Sequence, residues 1–321
     1  MENLKEWIKA EAKRLGFSFI GVSAPLKTPH FENYLRWVEG SHQISLDYLA
    51  KDYVINGRRN PKSLLDGVIS VIVAGIHYQP TIGLSDISSI KAGITGLIAS
   101  YATLPDYHTK IRGMLKELVH NIEGSLDNKI KYKIYIDSGP VMEKDFAFQA
   151  GLGWIGRNSL LISPQFGSYC LLGCLFTDVE IDPDIPLDGD ICTGCSACID
   201  ACPTQCIFSD RTLNVEKCIS YLTIEQDRNL PDVLGQRNYS WIFGCDICQL
   251  VCPVNLRISG NTSGIPADPV QSIIPQSLIL ESELTLNQDE FFRRYSNTPV
   301  FHIGYDRFRE NLQKALSVKK I

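Results

Sequence analysis

Cys192-Thr-Gly-Cys195-Ser-Ala-Cys198-Ile-Asp-Ala-Cys202-Pro203, inside ICTGCSACIDACPTQCI (191–207), is the C-x2-C-x2-C-x3-C-P run of bacterial ferredoxins. Three thiolates must converge on one cube of iron and sulfide from a tight loop, and small residues between the cysteines suit that turn; the fourth thiolate points the other way. A second group, Cys245-Asp-Ile-Cys248-Gln-Leu-Val-Cys252-Pro253, has C-x2-C-x3-C-P spacing and needs one further ligand, for which Cys218 is the nearest candidate. The last cysteine of such a run tends to bind the other cluster of a pair. The spacing therefore predicts one 4Fe-4S cluster on Cys192, Cys195, Cys198 and Cys252, and another on Cys202, Cys218, Cys245 and Cys248. Cys170, Cys174 and Cys206 are left as bystanders. A pair of zinc sites also favours C-x2-C pairs, but the triple run closing in Cys-Pro points to iron and sulfide.

The rest of the composition agrees with a reduced, globular protein. Nine of the eleven cysteines fall between Cys192 and Cys252, and none precedes Cys170. The opening MENLKEWIKAEAKRLG is amphipathic with both signs of charge, unlike a signal or transit peptide, so a cytoplasmic location is expected and disulfides are not. At 321 residues, 44% hydrophobic and 21% charged, the chain has material for about two domains. Lys, Asp, Gly or Pro interrupts every apolar stretch, which argues against a membrane span. The net charge of −5, with the acidity concentrated after residue 150, gives no support for indiscriminate nucleic-acid binding but leaves room for a local basic strip.

Helices and strands alternate ahead of the cysteines. Leu4, Trp7, Ile8 and Leu15 recur at helical spacing, and Gly16 ends that helix. SFIGVSA (18–24), SVIVAGI (70–76) and KYKIYID (131–137) read as strands, and His108 to Glu123 as an amphipathic helix. This predicts a mixed α/β domain over residues 1–176. The acidic TDVEIDPDIPLDGD (177–190) reads as a solvated connection into a cluster module that ends near residue 256. Residues 257–321 form a covering segment, with RISGNTSG (257–264) as loop and helices around Gln288–Tyr295 and Tyr305–Leu316.

Two clusters in contact make a one-electron wire, so the first domain should hold something that consumes electrons. Gly151-Leu-Gly153-Trp-Ile-Gly156 satisfies G-x-G-x-x-G, but MEKDFAFQA before it reads as helix and SLLI after it as strand, the reverse of the order a dinucleotide site requires. The glycines instead suit a backbone that approaches a large flat cofactor or a neighbouring helix. Asp106-Tyr-His108-Thr-Lys-Ile111 begins like the D-x-H-x-x-G signature of histidine-ligated cobalamin, with Ile where Gly belongs; His108 also reads simply as a helix N-terminal residue. Asp137 ends the strand KYKIYID beside Ser138-Gly139-Pro140, where a carboxylate can project into a crevice as a general acid. The alternatives are an Asx-turn or a cap on the helix that starts near Val141, with Glu143 and Asp145 as first-turn acids.

IDSGPVMEKDFAFQAGLGWIGRNSLLISPQFGSYCLLG (136–173), the cysteine run, CISYLTIE (218–225) and IFGCDICQLVCPVN (242–255) together resemble the epoxyqueuosine reductase family, collinearly over nearly the whole chain. The resemblance implies a nitroreductase-like, cobalamin-binding α/β domain followed by a ferredoxin-like module with two 4Fe-4S clusters. It implies an oxidoreductase that converts epoxyqueuosine to queuosine at the wobble base of tRNA, with base-off cobalamin held against the clusters. By the same resemblance Asp137 matches the family's proton-donating aspartate, and Gly153, Trp154 and Gly156 match part of its cobalamin pocket. Arg58, Tyr107, Arg157, Asn158 and Ser159 are further candidates for cofactor or substrate contacts, and Asp137 itself would lie against the cofactor.

The implied partners are tRNA carrying epoxyqueuosine and a low-potential electron donor such as a flavodoxin or ferredoxin system, with a monomeric enzyme and no membrane. Many relatives continue into a C-terminal helical-repeat region, whereas this chain stops soon after Tyr305-Asp-Arg-Phe-Arg-Glu-Asn-Leu. The grip on phosphates is then expected from Arg228, Arg237, Arg293, Arg294, Arg307 and Arg309. Two other readings are compatible with paired clusters: a corrinoid-dependent reductive dehalogenase, and a ferredoxin-like electron carrier with no catalysis of its own. The roughly 175 residues ahead of the cluster module exceed what a carrier needs.

Overall fold

The structure, a computed structural model, describes residues 4–40, 46–88, 90–91, 93–226, 240–259 and 270–317. Its strands are β1 (Phe19–Ser23), β2 (Ser70–His77), β3 (Thr95–Ile98), β4 (Tyr132–Tyr135), β5 (Trp154–Ile155), β6 (Leu161–Ile162), β7 (Cys170–Thr177), β8 (Trp241–Phe243) and β9 (Ser277–Ile279). An antiparallel sheet of order β1-β2-β7-β4 forms the first core. Alternation along its central strands decides what each face touches. Ile72, Ala74 and Ile76 of β2, with Leu171 and Leu175 of β7, join helices Leu4–Arg14 and Tyr107–Leu126. Val71, Val73, Cys174 and Phe176 face the other way, onto helix Glu143–Gln149. Gly173 of β7 permits the close approach of the longest helix, because a Cβ there would sit 2.6 Å from a methyl of Ile111.

The strand at 170–177 carries no polar alternation, being covered on both faces, and this is why periodicity does not single it out. The connection 177–190 differs from the expected solvated tether. Ile181 is buried, and the Asp184 carboxylate accepts from the Val22 N–H (2.8 Å) and from Lys9 Nζ (2.6 Å), while the Asp184 N–H donates to Val22 O. Asp184 thus straps the connection to the open edge of β1 at Val22, where backbone would otherwise be left unpaired.

A second core is assembled from separated stretches. β3 pairs parallel with β8 and antiparallel with β9. Ile98, Phe243 and Leu278 from these strands pack with Phe291 and Tyr295 of helix Gln288–Tyr295 and Phe308 and Leu312 of helix Gly304–Ser317. Asn287 and Glu290 close a capping box on the first of these helices, so its start at residue 288 is a local property of the sequence. Residues 257–259, expected as loop, complete helix Pro253–Ser259, and 260–264 lie outside the described residues. No helix among the described residues is long and apolar enough to cross a membrane.

Candidate active site and cluster module

The cysteines gather in two neighbouring groups. Cys198 lies within electrostatic reach of Cys192, Cys195 and Cys252, and Cys192 and Cys252 share one apolar cluster with Ile162 and Val254. Cys245 lies within the same reach of Cys248 and Cys218, and Cys218 of Cys202. The short helices Ala197–Asp200 and Ile247–Leu250 pack together, which sets the two groups side by side. Cys206, read from spacing as a bystander, lies in the second group with its sulfur 3.5 Å from that of Cys202. Its place four residues beyond Cys202 is the signal that spacing rules for C-x2-C motifs do not use.

Buried polar side chains fix these loops. Asp246 is 1% exposed and accepts from the Ser100 N–H (2.7 Å), the Ser100 hydroxyl (2.6 Å) and the Gln276 amide (3.2 Å), tying the second group to the segment after β3. Asn255 donates to Gln249 O (2.7 Å) and accepts from the Ser168 N–H (2.8 Å), tying the first group to the turn before β7. Neither side chain could be read as structural from the motif alone.

A cavity of about 830 Å³ opens between the second cysteine group and the end of β4. Asp137, Tyr107, Asn158, Glu143, Cys202 and Cys248 are among the residues that line it. Asp137 is exposed at the rim, two residues past β4, with backbone in the left-handed region (φ 50°), which aspartate tolerates better than most side chains. Its carboxylate accepts from the Tyr107 hydroxyl at 2.8 Å. Met142 occupies the N-cap of helix Glu143–Gln149, so Asp137 is not that helix's cap. Burial first, and then the charge of Asp137, holds the Tyr107 hydroxyl far above its usual range, so it remains a donor at neutral pH. Beside it Asp106 caps helix Tyr107–Leu126, accepting from the His108 N–H (2.9 Å) and facing His108 Nδ1 at 2.8 Å and His302 Nε2 at 3.4 Å.

The remaining expected contacts are distributed more widely. The Arg58 guanidinium lies 4.4 Å from the Tyr34 ring centroid, outside the cavity lining, with Nε buried. The Arg157 backbone N–H is directed at the Cys192 sulfur and opposes the upward push of burial on that thiol; Asn158 is 5% exposed. The Ser159 hydroxyl donates to Arg211 O, and Trp154 donates its indole N–H to Asp188 O at 3.2 Å. Gly153 and Gly156 of GLGWIG permit the close pairing of the β5–β6 hairpin, and Gly151 (φ 69°) permits a close approach to the backbone of Ile185. A Cβ on Gly153 would stand 2.4 Å from Ile162 O, and one on Gly156 2.6 Å from the Ile162 side chain. Gly153→Ala is therefore expected to cost about 1–3 kcal/mol of stability, read as a lowered melting temperature.

Of the arginines expected to meet phosphates, Arg307 is 7% exposed and donates to Leu222 O (2.7 Å) and Gln226 O (2.6 Å), so it holds the C-terminal helix down and cannot reach a nucleic acid. Arg294 pairs with Glu283 at 2.9 Å, and Arg309 donates to Leu284 O at 3.0 Å. Arg293 is exposed, and Arg228 and Arg237 lie outside the described residues.

Comparison with known proteins adds independent findings. The family profile described as "4Fe-4S double cluster binding domain" matches residues 191–255, and that described as "Epoxyqueuosine reductase QueG, DUF1730" matches residues 58–138. The chain is 34% identical over 318 residues to the epoxyqueuosine reductase of Pseudomonas aeruginosa, covering 98% of this chain and 84% of that protein. It is 30% identical to the one from Escherichia coli, covering 98% and 81%. The solved epoxyqueuosine reductase of Streptococcus thermophilus superimposes with a TM-score of 0.80 at 30% identity, covering 98% of this chain and 81% of that one. An epoxyqueuosine reductase solved with an epoxyqueuosine-modified tRNA-Tyr stem loop gives 0.81 at 27% identity over the same shares.

Proposed function

The chain belongs to the epoxyqueuosine reductase family, and on that premise we propose that it reduces epoxyqueuosine to queuosine at the wobble position of tRNA. The observation that carries this reading is the shared cavity. It places a carboxylate with its own hydroxyl donor, Asp137 and Tyr107, in one space with sulfurs of the second cysteine group. Deoxygenating an epoxide to an alkene needs single electrons delivered in sequence and a proton for the departing oxygen, and one wall of the cavity offers each.

The residues present fit the two cofactor types that the family resemblance implies. Cys192, Cys195, Cys198 and Cys252 would hold one 4Fe-4S cluster, and Cys202, Cys218, Cys245 and Cys248 the other, in the double-cluster domain matched over residues 191–255. The cavity volume falls in the range of small-molecule sites, and its aromatic lining, Tyr78, Tyr101 and Tyr107, suits the flat ring of base-off cobalamin in a nitroreductase-like domain spanning residues 1–176. When bound, cobalamin supplies a strong reductant and the clusters supply single electrons from a low-potential flavodoxin or ferredoxin system. Asn158 would meet the cofactor at the cavity wall, with Arg58, Gly153, Trp154, Gly156, Arg157 and Ser159 shaping the surround. Residues 177–256 then act as the wire and 257–321 as the cover, with β3 lent to the cover's sheet. The working protein is a cytoplasmic monomer.

Within this site Tyr107 orients the Asp137 carboxyl group, and Asp137 protonates the oxygen as its carbon bond breaks. Tyr107→Phe deletes a hydrogen bond to a charged group, a contact worth about 1.5–3 kcal/mol. Turnover is expected to fall roughly 10–100-fold with KM little changed, as steady-state kinetics would show. The reading itself is tested by anaerobic cobalamin titration of the iron-loaded protein, followed by its visible spectrum and by reduction of epoxyqueuosine-containing tRNA. Saturable binding with cobalamin-dependent conversion supports it. Two clusters with no corrinoid affinity would mark an electron carrier instead.

A further inference from the structure

Besides Asp137, the carboxyls of Asp106, Glu143, Glu225 and Asp246 line the cavity, and Glu143 among them has no part in the chemistry above. Glu143 opens helix Glu143–Gln149, and its Oε1 is buried with no hydrogen-bond partner among the described residues. An unpartnered carboxylate oxygen in such a place is costly, whereas a neutral carboxylic acid is tolerated. Burial pushes the Glu143 carboxyl up to about 7, and the charge of Asp137 adds to that; its own backbone N–H, Arg58 and Lys144 pull the other way without prevailing. The charged and titratable groups around it are Asp137 after β4, Arg58 on helix Asp52–Arg59, Cys174 on β7, and Lys144 and Asp145 on its own helix.

The stoichiometry of the reaction leaves a place for such a group. Removing an epoxide oxygen as water breaks two C–O bonds, forms one C=C π bond and consumes two electrons and two protons. The electrons arrive from the low-potential donor through the clusters. Asp137 carries one proton at a time, and a nucleic acid seated over the cavity mouth would cut its rim position off from bulk water. We propose that Glu143 holds the second proton and returns it to Asp137 once the first has passed to the leaving oxygen. Both carboxylates reload from solvent after product leaves, so the protons balance. This inference rests on the epoxyqueuosine reading.

Single-turnover oxygen loss from epoxyqueuosine-containing tRNA, measured between pH 5.5 and 8.5, tests it. The wild-type rate should decline above about pH 7 as Glu143 ionises. Glu143→Gln should run roughly 10–100-fold slower, without that decline and with iron, corrinoid binding and KM unchanged. A variant with the wild-type rate and pH profile overturns the proposal while leaving the epoxyqueuosine reading intact; a wild-type protein that converts nothing overturns both.

Thermal melts supply a readout free of catalysis. Because the folded carboxyl titrates near 7 and the unfolded one near its ordinary 4.5, the native state binds the extra proton between those values and loses stability as pH rises through them. Glu143→Gln removes this penalty, so its melting temperature relative to wild type should climb from pH 5 to pH 8. A constant difference would mean that Glu143 is ionised throughout and holds no proton to give.

Discussion

Replacing Asp137 by asparagine should lower turnover about 10²–10⁴-fold while leaving iron content and corrinoid binding at wild-type levels. Asparagine preserves the size of the side chain and keeps an oxygen for the Tyr107 hydroxyl, which lies 2.8 Å from the aspartate. It cannot carry the proton that the departing oxygen takes. A loss of this size equals about 3–5 kcal/mol of barrier, more than the orienting bond from Tyr107 supplies, so the aspartate variant should be the more severe of the two. Single-turnover kinetics with iron assay and corrinoid titration on the same sample check it. A fully active Asp137→Asn protein would move the acid role elsewhere in the cavity.

The second large effect separates two cysteines that share a neighbourhood. Cys202 closes the ferredoxin run and Cys206 lies 3.5 Å from it. With Cys202 as the ligand, Cys202→Ala should take the iron from roughly eight atoms per chain to about four and abolish turnover by cutting the route into the cavity. Cys206→Ala should keep both clusters and most activity. Iron analysis and electron paramagnetic resonance of the dithionite-reduced proteins distinguish the two. The reverse outcome would transfer the ligand role to Cys206, still within the second group.

What could be read from the sequence follows the range over which each interaction acts. The cysteine runs are legible because at least two ligands of each cluster come from one tight C-x2-C loop. The helix Gln288–Tyr295 is legible because Asn287 and Glu290 cap it within a single turn. The pairing of β3 with β8 and β9 is not, since it joins residues near 97 to partners near 241 and 278 and carries no local mark. The acids of 177–190 look solvated in the sequence, yet Asp184 is spent on the edge of β1. Arg307 looks available to phosphate, yet its guanidinium caps carbonyls of Leu222 and Gln226 beneath the C-terminal helix. Asp137 is visible at a strand end before a Gly-Pro turn, whereas its donor Tyr107 and Glu143, with its buried Oε1, become meaningful only when β4, the long helix and the short helix after Met142 are brought around one cavity.

The most direct measurement is nucleoside mass analysis of epoxyqueuosine-containing tRNA after anaerobic incubation with the iron-loaded protein, cobalamin and a low-potential reductant. The expected result is loss of one oxygen from that nucleoside, dependent on cobalamin. An unchanged nucleoside, with both clusters and bound corrinoid verified in the same sample, would contradict the assignment of this chain as an epoxyqueuosine reductase in function.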